Sequence, residues 1–582
     1  MSIETSIETS SKTGIEAGGE ARRGTRELIE TQAADLVTGL VERPWGQVST
    51  SIYETGRVTT LTPWLTGQAA RLRHLAATQR DDGGWGGPDG YALVPTLSAT
   101  EALLAALRRD DPAIDGTAGR ETLVKTAAAG LHMLFGRLSG TVTATPLPDM
   151  PAIELIVPAL IELINGHLDG LAAKGAAGFD PWRGEARLRP PSGMDGGLLA
   201  MIRSRVRAGD ALPEKLLHAL EIAGEAARGV RTVRPLPPGT VGTSPAATAA
   251  WLGGVGEPSG DNARRHLAEV ARLHGGPVPC GIPVTVFEQG WVLSWLARAG
   301  IHVPVPQVLL DSLAAADRPG GTSAGPGLPA DADTTSVALY ALTLLGSPRA
   351  PDGLAAYRTE SGFCTWQGEQ GFSVTVNAHV LDAVGQYLVR RPETAPAYAS
   401  TIRQVSRVLC EYQSDNGSWQ DRWHASPYYA TAACALALGE FGADDATASR
   451  ATARAGGVSD LVKGAAVERA TARAVDWVLE TQHADGSWGR WGGTAEETAY
   501  ALQILLLTPS GKRKAACEEA VTRGRDHLLR SVGQATGPAL WHDKDLYRPV
   551  AIVRAAVLAA LHLTAICSRS DIAANSPEVR KL

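Results

Sequence analysis

The sequence is short of several things. Charged residues fill 20% of its 582 positions, below the roughly 25% of an average soluble chain. With 55 basic and 61 acidic residues the net charge is −6, and no long basic run occurs. That excludes an electrostatic nucleic-acid footprint. No apolar stretch approaches the ~20 residues of a membrane span. The six cysteines (280, 364, 410, 434, 517, 567) include no CxxC pair. This argues against a disulfide framework or structural zinc and for a reducing cytoplasm. The N-terminal segment is polar and repetitive and lacks the apolar middle of a signal peptide, so residues 1–25 read as a disordered tail. Phenylalanine is scarce, 6 against 14 tryptophans. A chain that prefers indole is using it for something.

Helical periodicity is abundant. Leu28, Ile29, Leu36, Val37, Leu40 and Val41 fall at spacings of three and four. So do the apolar residues of 152–165, 212–228, 286–299, 334–346, 374–388, 427–439, 494–507 and 548–563. Gly (64) and Pro (35) sit mainly between these stretches, including the loops 230–260 and 317–330. The pattern predicts an almost all-α protein. At roughly 100–200 residues per domain, the length suggests two to four domains.

One motif recurs: QRDDGGWG at 79–86, QSDNGSW at 413–419 and QHADGSWG at 482–489. Looser copies occur at 362–368 and 238–245. Each strong copy stands between two predicted helices. Asp/Asn-Gly forms the turn, and Gln is suited to bond backbone groups at neighbouring helix ends. These indoles read as clamps between helix layers, and repeated helix pairs of this kind close into α/α barrels.

A second motif, Asp331-Ala332-Asp333-Thr334-Thr335, opens the helix predicted over 334–346. Asp and Thr are favoured N-caps, which is one reading. The other is chemical. Two carboxylates this close cannot both ionise cheaply in a dry pocket, so one keeps a proton. A protonated acid facing an apolar cavity protonates an alkene.

The turn repeats resemble the QW repeats of terpene cyclases, and DADTT is similar to the DxDD motif of the class II members, which start cyclisation by protonating a double bond. Further segments resemble bacterial cyclases of prenyl diphosphates in collinear order from about residue 26 to about 568. They include PWGQVSTSIYETGRV (44–58), AIELIVPALIELI (152–164), LPEKLLHALEIAG (212–224), SVTVNAHVLDAV (373–384), WGGTAEETAYAL (491–502) and LWHDKDLYRPV (540–550). The resemblance implies an all-α fold of two α/α-barrel domains, β and γ, with the active site between them. Residues 26–60 supply the first helix of β, 61–274 an inserted γ barrel, 275–568 the rest of β, and 569–582 a tail.

The resemblance also implies roles. Asp333 is the general acid, Asp331 polarises it, and Asn377 helps to orient it. Trp366, Trp423, Tyr428, Trp541 and Tyr547 are candidates to stabilise the carbocation through their ring faces. Lys544 is expected on the diphosphate, with Arg57 a weaker candidate, and Glu154 is expected to help hold Mg²⁺. The last acid of DxDD is Thr334 here, as in drimenyl diphosphate synthases. That points to farnesyl diphosphate as substrate and a drimane-type diphosphate as product. A twenty-carbon substrate giving a copalyl-type diphosphate is the alternative. His218 matches a His that helps remove the final proton in plant relatives, whereas Cys280 stands where those have Asn. Asp110-Asp111-Pro-Ala-Ile-Asp115 has the wrong spacing for the DDxxD motif of diphosphate ionisation, so the diphosphate is expected to remain. A squalene-hopene-type cyclase is expected to carry more repeats. Outside the cyclases stand a prenyltransferase-like subunit, which needs an Asp/Cys/His zinc site, and a non-catalytic helical scaffold, which leaves DADTT unexplained.

Overall fold

The computed structural model describes residues 26–567 apart from 118, 139–146, 175–177, 183–185, 195, 254–259, 444–463, 510 and 532–536. The two expected tails lie outside the described residues. The protein is nearly all helix. Among the described residues the strands form two hairpins, Arg358–Thr359 with Gly362–Phe363 and Trp541–His542 with Leu546–Tyr547.

Buried apolar side chains gather into two cores. One joins the first helix (26–42, through Leu36 and Leu40) to residues from Trp291 to Leu563. The other runs from Tyr53 to Ile282 and borrows Ala425, Leu540 and Leu546. The chain leaves its first core after one helix, builds a second, and returns. We refer to the two α/α barrels as β and γ.

Inner helices are buried on every side. Helix Leu93–Arg109 is buried at each position from Leu93 to Leu107. With the turn before it, Asp89–Arg109 is apolar and long enough to cross a membrane, yet it lies wholly inside the γ core. This corrects the sequence reading, which found no such stretch. Outer helices bury one stripe only, as Ala395–Glu411 does through Ile402, Val405 and Leu409.

The three turn repeats are built alike. Gln79, Gln413 and Gln482 each donate from Nε2 to a glycine carbonyl in their own turn and to a carbonyl of the next outer helix: Thr126, Ala470 and Ala520, at 2.8–2.9 Å. Trp85, Trp419 and Trp488 are fully buried. Their indole N–H groups donate back to Leu75, Leu409 and Val478, at 2.7–2.8 Å. The turn glycines Gly83, Gly417 and Gly486 have φ of +82°, +94° and +89°, and a Cβ there would meet an outer-helix carbonyl at 2.5–2.6 Å. Only glycine allows both the left-handed turn and the close approach. The looser copy at 362–368 is not a clamp. It forms part of the first hairpin, and its Trp366 is only half-buried.

One predicted helix is not continuous. Over 212–228 the chain forms a short helix, Glu214–Leu217, and tight 3₁₀ turns, Leu220–Ala227, broken at Gly224 (φ 59°). The break leaves His218 and Glu221 facing the second hairpin, whose tip threads between the barrels.

Candidate active site

Asp331 caps the helix Ala332–Leu344. Its carboxylate accepts from the Thr334 N–H at 2.6 Å and from the Thr334 hydroxyl at 2.9 Å. Thr334, which stands where an acid was expected, is thus a donor to Asp331. Burial pushes the Asp331 carboxyl up to about 7; the Asp333 charge adds to this, and the Thr334 bonds oppose it. The cap reading of DADTT holds through Asp331.

Asp333 leans the other way, onto helix Val374–Arg390, where its Oδ1 lies 2.6 Å from Nδ1 of His379. Burial disfavours a charged His379, but the Asp333 carboxylate outweighs it and holds the imidazole above its ordinary range. Asn377 does not orient the acid. Its Oδ1 accepts from Phe363 N–H at 2.9 Å, and its Nδ2 donates to the carbonyls of Phe363 and Ser373. The amide is spent on the first hairpin. Two residues on, the helix has turned by about 200°, and His379 occupies the place expected of Asn377.

Rings surround this pair. Trp291 lies edge-on to His379, with centroids 5.6 Å apart, and its N–H donates to the Tyr429 hydroxyl at 3.0 Å. Tyr429 packs 4.7 Å from Trp541, which meets Phe287 at 5.8 Å and Tyr547 at 6.4 Å. The Trp541 N–H is fixed on Glu496 at 2.8 Å. Trp541 and Tyr547 therefore join the ring cluster. Tyr428 does not: it packs on Trp477 at 4.5 Å, and its hydroxyl reaches the Thr481 carbonyl at 3.5 Å on the outer layer. Its neighbour Tyr429 holds the inner position, one helical step of about 100° away. Trp366 and Trp423 form a separate edge-to-face pair at 5.3 Å. The Ala332 N–H, next to both acids, donates to Thr365 beside Trp366. Arg422 lies over the Trp423 ring at 5.2 Å and bridges Glu369 of β and Asp149 of γ, at 2.6 and 3.1 Å.

The second hairpin brings γ to this cluster. The Asp545 carboxylate accepts from the Ile52 and Tyr53 N–H groups at the start of helix Ile52–Leu61. Lys544 is fully buried and donates to Glu54, to Glu221 (2.9 Å), to Ser244 (2.8 Å) and to the His218 carbonyl (2.7 Å). Its charge is consumed by two glutamates, so it is not placed to hold a diphosphate. Arg57 is likewise buried and paired with Glu101. His218 lies between the Gly242 carbonyl and the Asp543 carboxylate, both at 2.7 Å. Two acceptors require N–H on both ring nitrogens, the imidazolium form. His218 is accordingly raised above its ordinary range: burial opposes the charge and Asp543 outweighs it. Burial pushes the Tyr547 phenol up, and the Asp543 and Asp333 carboxylates add to this.

Glu154 is exposed in the first turn of helix Ile153–Lys174. Among the described residues no three His, Cys, Asp or Glu side chains cluster as a metal site. Mg²⁺ does not require a cluster of that size, since it is commonly held by one or two carboxylates and the substrate's own phosphates. The same observation leaves the zinc-dependent prenyltransferase reading without its ligands among those residues.

Two α/α barrels, with an acid pair opening an inner helix beside a wall of rings, define a class II terpene cyclase. No family model matches the chain. It is 40% identical to an ent-copalyl diphosphate synthase of Streptomyces sp. (strain KO-3988) over 92% of this chain and 96% of that one. It is 39% identical to a labda-7,13-dienyl diphosphate synthase of Streptomyces clavuligerus over 92% and 93%. The solved ent-copalyl diphosphate synthase from Streptomyces platensis superposes with a TM-score of 0.83 at 42% identity, covering 92% of this chain and 99% of that one. The chain belongs to the bacterial class II diterpene cyclases, the copalyl diphosphate synthase family.

Proposed function

We propose that the protein converts geranylgeranyl diphosphate to a bicyclic, copalyl-type diphosphate. The relatives are copalyl and labdadienyl diphosphate synthases, named for twenty-carbon bicyclic products. The fifteen-carbon expectation rested on Thr334. That hydroxyl is bonded to Asp331, so the residue reports how the acid pair is packed and carries no measure of chain length.

The observation that carries the reading is the division of labour between two acids. Asp331 is turned into the helix cap, while Asp333 faces His379 and the rings. Asp333 gives its proton to the terminal alkene. A bond from His379 N–H stabilises the carboxylate left behind. The tertiary cation closes two rings in succession, each a new carbon–carbon bond formed from an alkene pair. Trp291, Tyr429, Trp541 and Tyr547 offer π faces that attract positive charge without capturing it. A final C–H proton is lost to a base. The sum is an isomerisation, and the diphosphate stays attached.

Asp543 is the base this arrangement favours. His218 holds it below the ordinary carboxylate range against the opposing effect of burial, and the imidazolium itself has no lone pair to accept a proton. Arg422 also pairs with two carboxylates, but unlike the fully buried Lys544 it is partly exposed and keeps further N–H donors in its fork, and it is the cation we assign to the diphosphate. Separate incubations with geranylgeranyl and farnesyl diphosphate, with and without Mg²⁺, followed by phosphatase treatment and mass spectrometry, test the reading. A bicyclic twenty-carbon alcohol is expected. Turnover of farnesyl diphosphate alone would overturn the substrate assignment.

A further inference from the structure

The γ barrel contains a cavity of about 300 Å³ that the cyclisation leaves unused. It runs from the hairpin side of the barrel toward the far end. The helices Ile52–Leu61, Leu93–Arg109 and Ile153–Lys174 all begin on the β side, where Asp545 caps the first, Tyr91 before the second meets His542, and Asp149 before the third pairs with Arg422. The cavity is lined along their length, from Tyr53 and Ile156 in the first turns to Leu61, Arg109, Leu163 and His167 in the later ones. At 1.5 Å per residue its far end lies roughly 15–25 Å from the starts of these helices.

The lining is cationic and half apolar. Its described residues include five arginines against three glutamates. Arg203 and Arg228 each pair with one carboxylate, Glu162 and Glu225, which leaves further N–H donors in each guanidinium fork. Deeper in, Glu101 accepts from Arg57 and Thr60 and lies 2.9 Å from His167 Nε2. His167 Nδ1 and Glu221 Oε2 are buried in this lining with no partner, although both residues are only 5% exposed. Unpaired buried polar atoms are costly; the His167 nitrogen is open to a ligand, while the Glu221 oxygen, an acceptor only, calls for a donor. Ile156, Ala159, Leu160, Ile222, Ala249 and Ala250 form an apolar wall. The volume sits at the lower end of the ~300–1,000 Å³ of small-molecule sites.

We propose that this far end of the γ barrel is a second ligand site, for a short-chain prenyl diphosphate whose head is held by the arginines and whose chain lies on the apolar wall. Guanidinium forks suit diphosphate oxygens, and the wall suits an isoprenoid chain.

Calorimetric titration of Asp333→Asn protein with geranyl diphosphate tests this without turnover. Two binding events per chain are expected. The variant Arg203→Gln/Arg228→Gln on the same background weakens one event by about tenfold or more and keeps the other. Ala159→Phe fills the wall with every arginine in place and removes the same event, so misfolding of the arginine variant leaves the test intact. Inorganic diphosphate binds the far site about tenfold more weakly or worse. A single event, or two that both survive Ala159→Phe, overturns the site. Equal affinity for inorganic diphosphate overturns the role of the chain. Turnover of geranylgeranyl diphosphate is assayed on the wild type, so failure of the cyclase reading appears there and not in the titration.

Discussion

Oδ1 of Asp333 lies 2.6 Å from Nδ1 of His379, on the neighbouring inner helix. The imidazole can stabilise the carboxylate that remains after the proton leaves. Asp333→Asn is expected to lower kcat by about 10²–10⁴ while substrate binding persists. His379→Ala is expected to slow the enzyme by about 10², and His379→Asn, which keeps an N–H donor, to recover part of the loss. Single-turnover kinetics with a binding titration check both. Full activity in Asp333→Asn rules out the mechanism.

The acid pair must hold a proton to work. Asp331 is pushed up to about 7, and once ionised it opposes the charge that Asp333 develops on giving up its proton, so kcat is expected to be level in mild acid and to fall as pH rises through about 7. The stability effect has the same origin. A carboxyl raised from its ordinary 3.8 favours the folded state most below that value, and the contribution is lost as pH climbs to about 7. Denaturant titrations of Asp331→Asn should therefore compare better with wild type at pH 7 than at pH 4. The opposite trend would place the proton elsewhere.

Tyr428 and Tyr429 are neighbours with opposite fates. Tyr429→Leu removes a ring from beside His379 and Trp541. A cation–π contact of about 0.5–2 kcal/mol corresponds to roughly a 2–30-fold loss in kcat. Tyr428→Leu loses packing against Trp477 and should lower the melting temperature with kcat unchanged. Steady-state rates and thermal melts of the two variants decide it, and equal kinetic losses would contradict the assignment.

Lys544→Met should act on stability. It leaves Glu54 and Glu221 buried without their cation, which costs about 3–5 kcal/mol when one partner of a buried pair is removed. Any folded fraction should keep its KM, whereas Arg422→Gln should raise KM in a sound fold. A higher KM for Lys544→Met with normal stability would return Lys544 to the diphosphate.

Asp543→Asn should leave the first protonation intact and disturb the last step. The expected signature is a change of products, toward alkene isomers or water-captured alcohols, with substrate consumption reduced less than in Asp333→Asn. Product analysis by mass spectrometry reads this, and an unchanged product excludes Asp543 as the base.

Most of the fold was legible because its signals are local. The spacing of Leu36 and Leu40 places a helix face, and Gln79, Gly83 and Trp85 meet within a single turn. Asp331 and Asp333 were legible for the same reason. The errors come from facing. Asn377 and His379 share one helix, as do Tyr428 and Tyr429, and only the angle around the axis separates a structural amide from the acid's partner. Lys544 was misread because its two glutamates lie 490 and 323 residues away in sequence, where no local pattern points to them. The γ cavity left no motif at all, since its arginines come from four separate segments of the chain.

The second hairpin spans only 541–547, yet Trp541 belongs to the β ring wall and Lys544 and Asp545 to the γ interior. The indole and the buried ammonium are three residues apart, too short a span of chain to move independently. Whatever loosens γ is therefore felt at the carbocation wall. The barrel that supplies no acid cannot be trimmed away as a spare part: an enzyme reduced to β alone would keep Asp333 and His379 but lose the anchor that sets Trp541 in front of them.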